Sequence, residues 1–206
     1  MNDILKLVIQ FFGYSLVAIG AQNAIFTRAL GISSGMRMLN DPRKNTYYFC
    51  GALALFQVMT SVIVYFVMPL VTTAGFGAYR RFVLPTVIVM ACAVSYVIVI
   101  SLLGVMVSKR RFRELVQSVT SASITGTIVG TVLLTNYQGL NLVQSIGFGI
   151  GSSVGYFIAM MLIIEGDRKI AHDKIPESLQ GLPITLIYIS ILALAVYGLT
   201  GHAIAL

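Results

Sequence analysis

The stretch AIGAQNAIFTRALGISSG, residues 18–35, decides how this chain is built. It begins like the middle of a membrane helix, but it then places Gln22, Asn23 and Arg28 where apolar residues are expected. Polar groups at that depth need protein partners, because the hydrocarbon of a bilayer offers none. The remaining sequence must therefore indicate whether this stretch ends a membrane helix or interrupts one.

The composition predicts an all-α integral membrane protein. Hydrophobic residues make up 57% of the 206 residues and charged residues 10%, with a mean hydropathy of +0.90, whereas a soluble domain has about 25% charged residues. A membrane β-barrel would have short segments of alternating polarity, and none is present. We expect one domain, residues 1–206. Its six apolar runs, each long enough to span a bilayer, cover residues 4–29, 47–71, 82–107, 115–134, 142–164 and 182–200.

The distribution of Lys and Arg predicts the orientation. With six spans, one side of the membrane carries both termini and three of the fourteen basic residues, Lys6, Arg80 and Arg81. The others lie at the opposite end, mainly in loops around residues 37–44, 109–113 and 166–177. The positive-inside rule places these loops in the cytoplasm and both termini outside the cell (inner) membrane. The net charge of +7 is then explained by basic loops that fix the orientation and lie beside anionic lipid headgroups. No nucleic-acid partner is expected.

No motif for processing, catalysis or metal binding stands out. Residues 18–20 are a passable signal-peptide cleavage site, but the N-terminus lacks a clearly positive region, so cleavage is not expected. Cys50 and Cys92 lie alone in the second and third runs, without metal-ligand spacing. His172 and His202 are expected in a loop and in the C-terminal tail. We therefore predict no catalytic residue and no metal ligand.

The run GFGIGSSVG in the fifth span predicts close helix packing. Gly147, Gly151 and Gly155 are four residues apart and share one helical face. Small residues at this spacing let two membrane helices approach closely. A phosphate-binding glycine loop would instead follow a strand, which is not expected inside a membrane helix.

The fourth run contains a second polar stretch, QSVTSASITGTIVGT at residues 117–131. Its seven Ser and Thr hydroxyls can bond to carbonyls of their own helix. Gly126 and Gly130 weaken that helix, and a membrane tolerates irregular backbone only where protein or a water-filled cavity covers it. Polar groups near the middle of the membrane are therefore predicted at Gln22, Asn23, Arg28 and Thr125.

The two polar runs occupy matching places in the chain, since each is followed by two uninterrupted apolar runs. This order predicts two inverted three-helix repeats, of about residues 1–113 and 114–206, whose first and fourth helices are interrupted. Such breaks at matching positions indicate a site at the midplane. The alternative is that Gln22 and Asn23 mark the cytoplasmic end of an ordinary first helix.

The chain resembles the six-span membrane subunits of the Rnf and Nqr electron-transport complexes, most closely the RnfA/NqrE type. The resemblance rests on LVQSIGFGIGSSVG at 142–155, AHDKIPESLQG at 171–181 and the apolar segment from 182 to 206. QNAIFTRALGIS at 22–33 resembles the first half-helix pair of that family, and SITGTIVGTVLL at 123–134 resembles its fourth-span break. The second and third runs match in pattern only.

This resemblance implies two such subunits, in opposite orientation, that hold a two-iron iron–sulfur cluster between their half-helices. Each subunit of the family contributes two cysteines, one at each break. At the matching positions this chain has Ser33 and Gly126. Thiolates hold such clusters, so we expect no cofactor in this chain by itself. Cys50 and Cys92 lie in other helices and cannot be assumed to replace the missing ligands.

The function implied is that of a non-catalytic RnfA/NqrE-like subunit in an ion-translocating, NADH- or ferredoxin-linked electron-transport complex. Its expected partners are the lipid bilayer and another Rnf/Nqr-like membrane subunit or a second copy. One alternative is a small secondary transporter or channel-like protein on the same scaffold, and another is a purely structural assembly partner.

Charged side chains give little sign of an ion path within this chain. All seven acidic residues fall in or beside the predicted loops, whereas proton and sodium relays usually place a carboxylate within the membrane. Arg28 is the candidate for a buried charge. It either contacts an anionic substrate or cofactor, or extends its guanidinium to the cytoplasmic surface.

Overall fold

The computed structural model describes residues 2–34, 44–106, 109–170 and 176–200. Within these residues all regular structure is helical, so the predicted all-α class is confirmed. The predicted loop at 37–43, His172 and His202 lie outside the described residues. The helices are α1 (Asn2–Ile19), α2 (Lys44–Thr73), α3 (Arg80–Met106), α4 (Lys109–Ser123), α5 (Gly126–Tyr137), α6 (Leu142–Lys169) and α7 (Leu182–Thr200), with short 3₁₀ turns at Phe76–Tyr79 and Glu177–Leu179.

The described chain is a multi-pass membrane protein. Four of its helices are long and apolar enough to cross a bilayer, namely Thr46–Thr73, Arg80–Val105, Leu142–Lys169 and Leu182–Thr200. A fifth crossing is formed if Leu115–Ser123 and Gly126–Tyr137 are taken together as one span bent by 44°. The predicted second, third and sixth runs agree with these helices to within a few residues. Residues 109–113, predicted as a loop, instead form the first turn of α4, since Lys, Arg and Phe there continue into a helix-forming sequence.

The first helix is shorter than the predicted span 4–29. Its apolar part, Ile4–Ile19, has a length of about 24 Å, less than the roughly 30 Å of the hydrocarbon core. After Ile19 the backbone runs through turns as far as Gly31. Ala29 and Gly31 have positive φ values of 54° and 78°, which no α-helix contains. The polar stretch thus leaves the helical conformation about ten residues before the predicted end of the span.

Helix α6 lies at the centre of the molecule, between α1 and α2. Its three spaced glycines face α1: a Cβ at Gly147 would lie 2.6 Å from the carbonyl oxygen of Phe11, and one at Gly151 would overlap the backbone of Ser15. Gly155 faces the end of α1, since a Cβ at Gly155 would lie 3.0 Å from the Cα of Ile19. In addition, the Ser15 hydroxyl donates to the Gly147 carbonyl over 2.8 Å. Because glycine has no side chain, these three positions allow the backbones of α1 and α6 to be in direct contact.

The apolar core lies where α2, α3, α5 and α6 meet. Phe56, Leu84, Ile88, Ile128 and Tyr156 are fully buried there. By contrast, α7 is peripheral, with Thr185 and Ile189 as its buried residues. It is attached to α6 by a hydrogen bond of 3.0 Å from the Thr185 hydroxyl to the Asp167 carboxylate. The core thus packs around the bent pair α4–α5 and fixes the position of its break.

Candidate functional site

Asn23 closes the broken end of α1. Its side chain is buried, with 3% of the residue exposed. The Nδ2 group donates to the carbonyl oxygens of Ile19, at 3.0 Å, and of Gly155 on α6, at 2.9 Å. The Oδ1 atom accepts from the backbone N–H groups of Ile25, at 3.0 Å, and Phe26, at 3.4 Å. One amide therefore satisfies backbone groups that the break leaves without helical partners, and it ties the break to α6.

Hydroxyl groups perform the same task at the second break. The Ser123 hydroxyl donates to the Thr120 carbonyl at 2.9 Å, and the Thr125 hydroxyl donates to the Ser121 carbonyl at 3.0 Å. Thr125 is extended, with φ −77° and ψ 128°, and α5 begins at Gly126. This local capping of freed carbonyls lets α4 and α5 meet at an angle of 44° inside an apolar molecule.

The two breaks touch each other. Ser34 Oγ lies 3.2 Å from Thr125 Oγ1, although 91 residues separate them. Because Thr125 gives its single proton to Ser121, Ser34 is the donor of this bond. The Tyr156 hydroxyl on α6 also donates to the Gly31 carbonyl at 2.8 Å. A Cβ at Gly31 would overlap Thr127 Oγ1 and come within 2.7 Å of the Tyr156 ring, so the contact requires glycine.

A buried polar network lies beside this junction and is centred on Gln57 of α2, which is fully buried. Its Nε2 donates to Thr131 Oγ1 at 3.2 Å and to Ser152 Oγ at 3.4 Å, and its Oε1 accepts from the Ser153 hydroxyl at 2.5 Å. Thr131 in turn donates to the Thr127 carbonyl at 2.6 Å. The network links α2, α5 and α6, and it offsets the cost of burying Gln57 because every polar atom of that amide has a partner.

Gln22 and Arg28 line a small cavity on the other side of Thr131 and Ser152. Its volume of about 10 Å³ is close to that of one water probe. Gln22 is buried, and its Oε1 has no hydrogen-bond partner among the described residues. Arg28 is exposed. Of the four predicted midplane residues, the structure therefore buries Gln22, Asn23 and Thr125, and it places Arg28 at the surface.

Ser33 and Gly126 are both exposed beside the junction. Gly126 borders a larger cavity of about 540 Å³ between α3 and the α4–α5 break. Cys92 lines this cavity and donates its thiol hydrogen to the Ser123 carbonyl at 3.1 Å. Cys50 is buried in the core instead. Among the described residues, no group of three or more His, Cys, Asp or Glu side chains could hold a metal ion.

Three residues of the junction were not found from the sequence. Gln57 lies within the apolar run 47–71, and its lone amide was a signal that it needs a buried partner. Ser34 directly follows the position that the family resemblance indicates. Tyr156 gave no signal, because an aromatic residue in an apolar run is compatible with packing alone.

Comparison with known proteins identifies the family. The sequence profile described as "Rnf-Nqr subunit, membrane protein" matches residues 11–203. The chain belongs to the Rnf-Nqr family. This match spans both breaks and all four long helices, and it confirms the predicted relationship.

Individual proteins of the Rnf-Nqr family share a quarter to a third of their aligned residues with this chain. A subunit of the ion-translocating oxidoreductase complex of Aromatoleum aromaticum is 32% identical over 74 residues, which cover 36% of this chain and 38% of that protein. A subunit of the Na(+)-translocating NADH-quinone reductase of Maridesulfovibrio salexigens is also 32% identical over 74 residues, covering 36% of this chain and 37% of the relative. The corresponding reductase subunit from Chlamydia pneumoniae is 24% identical over 199 residues, covering 92% of this chain and 77% of the relative.

The iron–sulfur cluster implied by the family resemblance does not fit the residues at the two breaks. Ser33 offers a hydroxyl and Gly126 no side chain, whereas the iron atoms of these clusters are held by thiolates or imidazoles. The nearby thiol of Cys92 is engaged with a helix carbonyl, and Cys50 lies elsewhere in the core. What the junction offers is a set of hydroxyl, amide and carbonyl groups, which can position helices and bind polar ligands but carry no electrons.

Proposed function

We propose that this chain is a membrane subunit of an ion-translocating oxidoreductase complex. The observation that carries the proposal is the contact between Ser34 and Thr125, which joins two broken helices inside a chain of the Rnf-Nqr family. Relatives of this chain are described as subunits of such complexes. Its own part in the complex is structural and non-catalytic, since the hydrogen bonds that join the two breaks use hydroxyl and carbonyl groups and no carboxylate or imidazole.

We further propose that the fold consists of two inverted repeats, of about residues 1–113 and 114–206, with the boundary in the first turns of α4. The order of elements supports this division. α1 and its break precede α2 and α3, and the broken pair α4–α5 precedes α6 and α7. An odd number of crossings in each repeat makes the two breaks enter the membrane from opposite sides. Their contact, between Ser34 and the predicted position Thr125, then lies near the midplane, whereas the predicted positions Gln22 and Asn23 belong to the first break.

A small secondary transporter is the competing function. A transporter needs unsatisfied polar groups that face a cavity of substrate size. The Gln57 network is saturated by its own members, and the cavity beside Gln22 has room for about one water molecule. The larger cavity beside Gly126 exposes mainly apolar surface, and the hydroxyl groups that border it, on Tyr96, Thr120, Ser123 and Thr125, are hydrogen-bonded within the protein. These features favour a subunit whose polar groups hold its helices in place.

Purification tests the proposed partnership and the absence of a cluster together. The tagged chain, isolated from its native membrane under anoxic conditions, should retain a second Rnf/Nqr-like membrane subunit or a second copy. After dissociation the chain alone should contain no stoichiometric iron, because Ser33 and Gly126 cannot supply two thiolates. Mass spectrometry identifies the partner, and elemental analysis measures the iron.

The matched control is the variant in which Ser33 and Gly126 are both replaced by cysteine and which is purified in the same way. Stoichiometric iron in the unmodified chain alone would contradict the cofactor-free proposal. Isolation as a lone monomer, with every other subunit of the complex absent, would contradict the proposed function.

The proposed orientation places both termini outside the cytoplasm, in the cell (inner) membrane. It is supported by the basic residues at the N-terminal end of α4, residues 109–113, and at the C-terminal end of α6, Arg168 and Lys169, which six crossings place opposite the termini. Alkaline phosphatase fused after Leu206 should be active, and the same enzyme inserted after Arg111 should be inactive. A cytoplasmic reporter at the same two places serves as the control and should give the reverse pattern. The opposite result would overturn this orientation.

A further inference from the structure

Two arginines at the start of α3 lie on the side of the protein that carries few charges. Arg80 and Arg81 are adjacent and exposed, and they make up two of the three basic residues predicted on that side. The positive-inside rule explains basic residues at the opposite side, and it disfavours them here. Another role is therefore required for this pair.

The pair lines an open pocket of about 310 Å³ together with Gly77 and Tyr137. This volume lies at the lower end of the range that small-molecule sites occupy. Gly77 belongs to the 3₁₀ turn that precedes α3, and Tyr137 is the last residue of α5. The pocket thus lies where one membrane helix begins and another ends, which is the level of the lipid headgroups.

Arg80 is held in place within the protein. Its Nη2 donates to the Asn136 side-chain oxygen at 2.8 Å and approaches the Asn136 carbonyl at 3.5 Å. This contact keeps a guanidinium at the C-terminal end of α5, beside the pocket. Preorganisation of this kind lowers the entropic cost of binding a ligand.

The charge of the pocket is not neutralised by the protein. Among the described residues the one salt bridge joins Arg168 to Glu165, so neither Arg80 nor Arg81 forms an ion pair there. The backbone N–H of Arg80 donates to the Gly77 carbonyl, so the positive charge of the pocket comes from the two guanidinium groups. A guanidinium pair has the chemistry that binds phosphate.

We propose that Arg80 and Arg81 bind the phosphate group of an anionic phospholipid headgroup in this pocket. A lipid is the chosen occupant because exposed apolar side chains adjoin the arginines. Phe82 is 78% exposed and Tyr79 64% exposed, so both offer apolar surface to the acyl chains of a bound lipid. The exposed ring of Tyr137 is typical of the aromatic belt at this depth.

Titration with phosphatidylglycerol tests the site on the whole chain in detergent. Native mass spectrometry counts bound lipid, and thermal unfolding records the stabilisation that binding causes. Phosphatidylglycerol should bind and raise the unfolding temperature, whereas phosphatidylcholine should do neither. The Arg81→Gln variant should weaken phosphatidylglycerol binding about fivefold, the factor expected for loss of one basic residue near a lipid headgroup.

Arg81→Gln is the decisive variant, because Arg80 also holds α3 to Asn136, whereas Arg81 makes no hydrogen bond to another helix among the described residues. Arg168→Gln removes the same charge at the C-terminal end of α6 and should leave phosphatidylglycerol binding unchanged. Equal weakening by Arg81→Gln and Arg168→Gln would overturn the site in favour of general charge attraction. Millimolar inorganic phosphate is the second comparison. If it stabilised the protein as much as phosphatidylglycerol does, and if this effect also required the two arginines, the occupant would be free phosphate and not a lipid.

Discussion

Replacing Asn23 by Leu should lower the free energy of unfolding by about 2–5 kcal/mol, since each buried polar group that loses its partner costs about 1–3 kcal/mol. The Leu side chain branches at the same carbon as Asn but accepts no hydrogen bond from the N–H groups of Ile25 and Phe26. It also loses the bond to Gly155 that joins the break to α6. The backbone after α1 would then be left without partners in an apolar environment.

Gln22→Met is the matched control, because Gln22 is the neighbouring buried amide and its Oε1 has no hydrogen-bond partner among the described residues. Removing an unsatisfied oxygen should change stability by less than about 1 kcal/mol or increase it. Both variants can be measured in detergent with a dye that fluoresces on reaction with thiols. Cys50 is buried in the apolar core of the folded protein and becomes reactive on unfolding. Equal losses for the two variants would contradict the role assigned to Asn23.

Replacing Gly151 by Ala should cost about 1–3 kcal/mol, the range observed when atoms are forced into a well-packed interface. The added methyl group would overlap the backbone of Ser15, which cannot rotate aside as a side chain can. Helices α1 and α6 would have to separate, and the Ser15–Gly147 and Asn23–Gly155 hydrogen bonds would lengthen with them.

Gly149→Ala makes the same chemical change two residues away on α6. There the new Cβ would lie 3.5 Å from Gln57 Cβ, an ordinary van der Waals contact. Alanine also favours a helix over glycine by about 1 kcal/mol, so this variant should be as stable as the unmodified protein or more so. The same thiol-reactive assay compares the two. A Gly151→Ala protein that unfolds at the temperature of Gly149→Ala would mean that α1 does not pack on this face.

The positions of the long helices could be predicted closely because hydropathy depends on local composition. The predicted run 182–200 coincides with α7, and the run 82–107 agrees with α3 to within two residues at either end. The first run, 4–29, was wrong over its last ten residues, because α1 ends at Ile19. Ala24, Ile25 and Phe26 continue the apolar composition after Asn23, so composition alone could not reveal that the backbone had already left the helix.

The sequence by itself determined the membrane class, the family and the places where the regular helices weaken, because each of these depends on residues close together in the chain. Only the tertiary structure decided which groups satisfy the polar residues at those places. Asn23 bonds to Gly155 across 132 residues, Ser34 to Thr125 across 91, and Gln57 to Ser153 across 96. These partners follow from how closely α1, α2 and α5 pack on α6, and a hydrogen bond forms only when packing brings donor and acceptor within about 3 Å. Hydropathy sets no such distance, since it records how much each residue favours lipid and not which residue it faces.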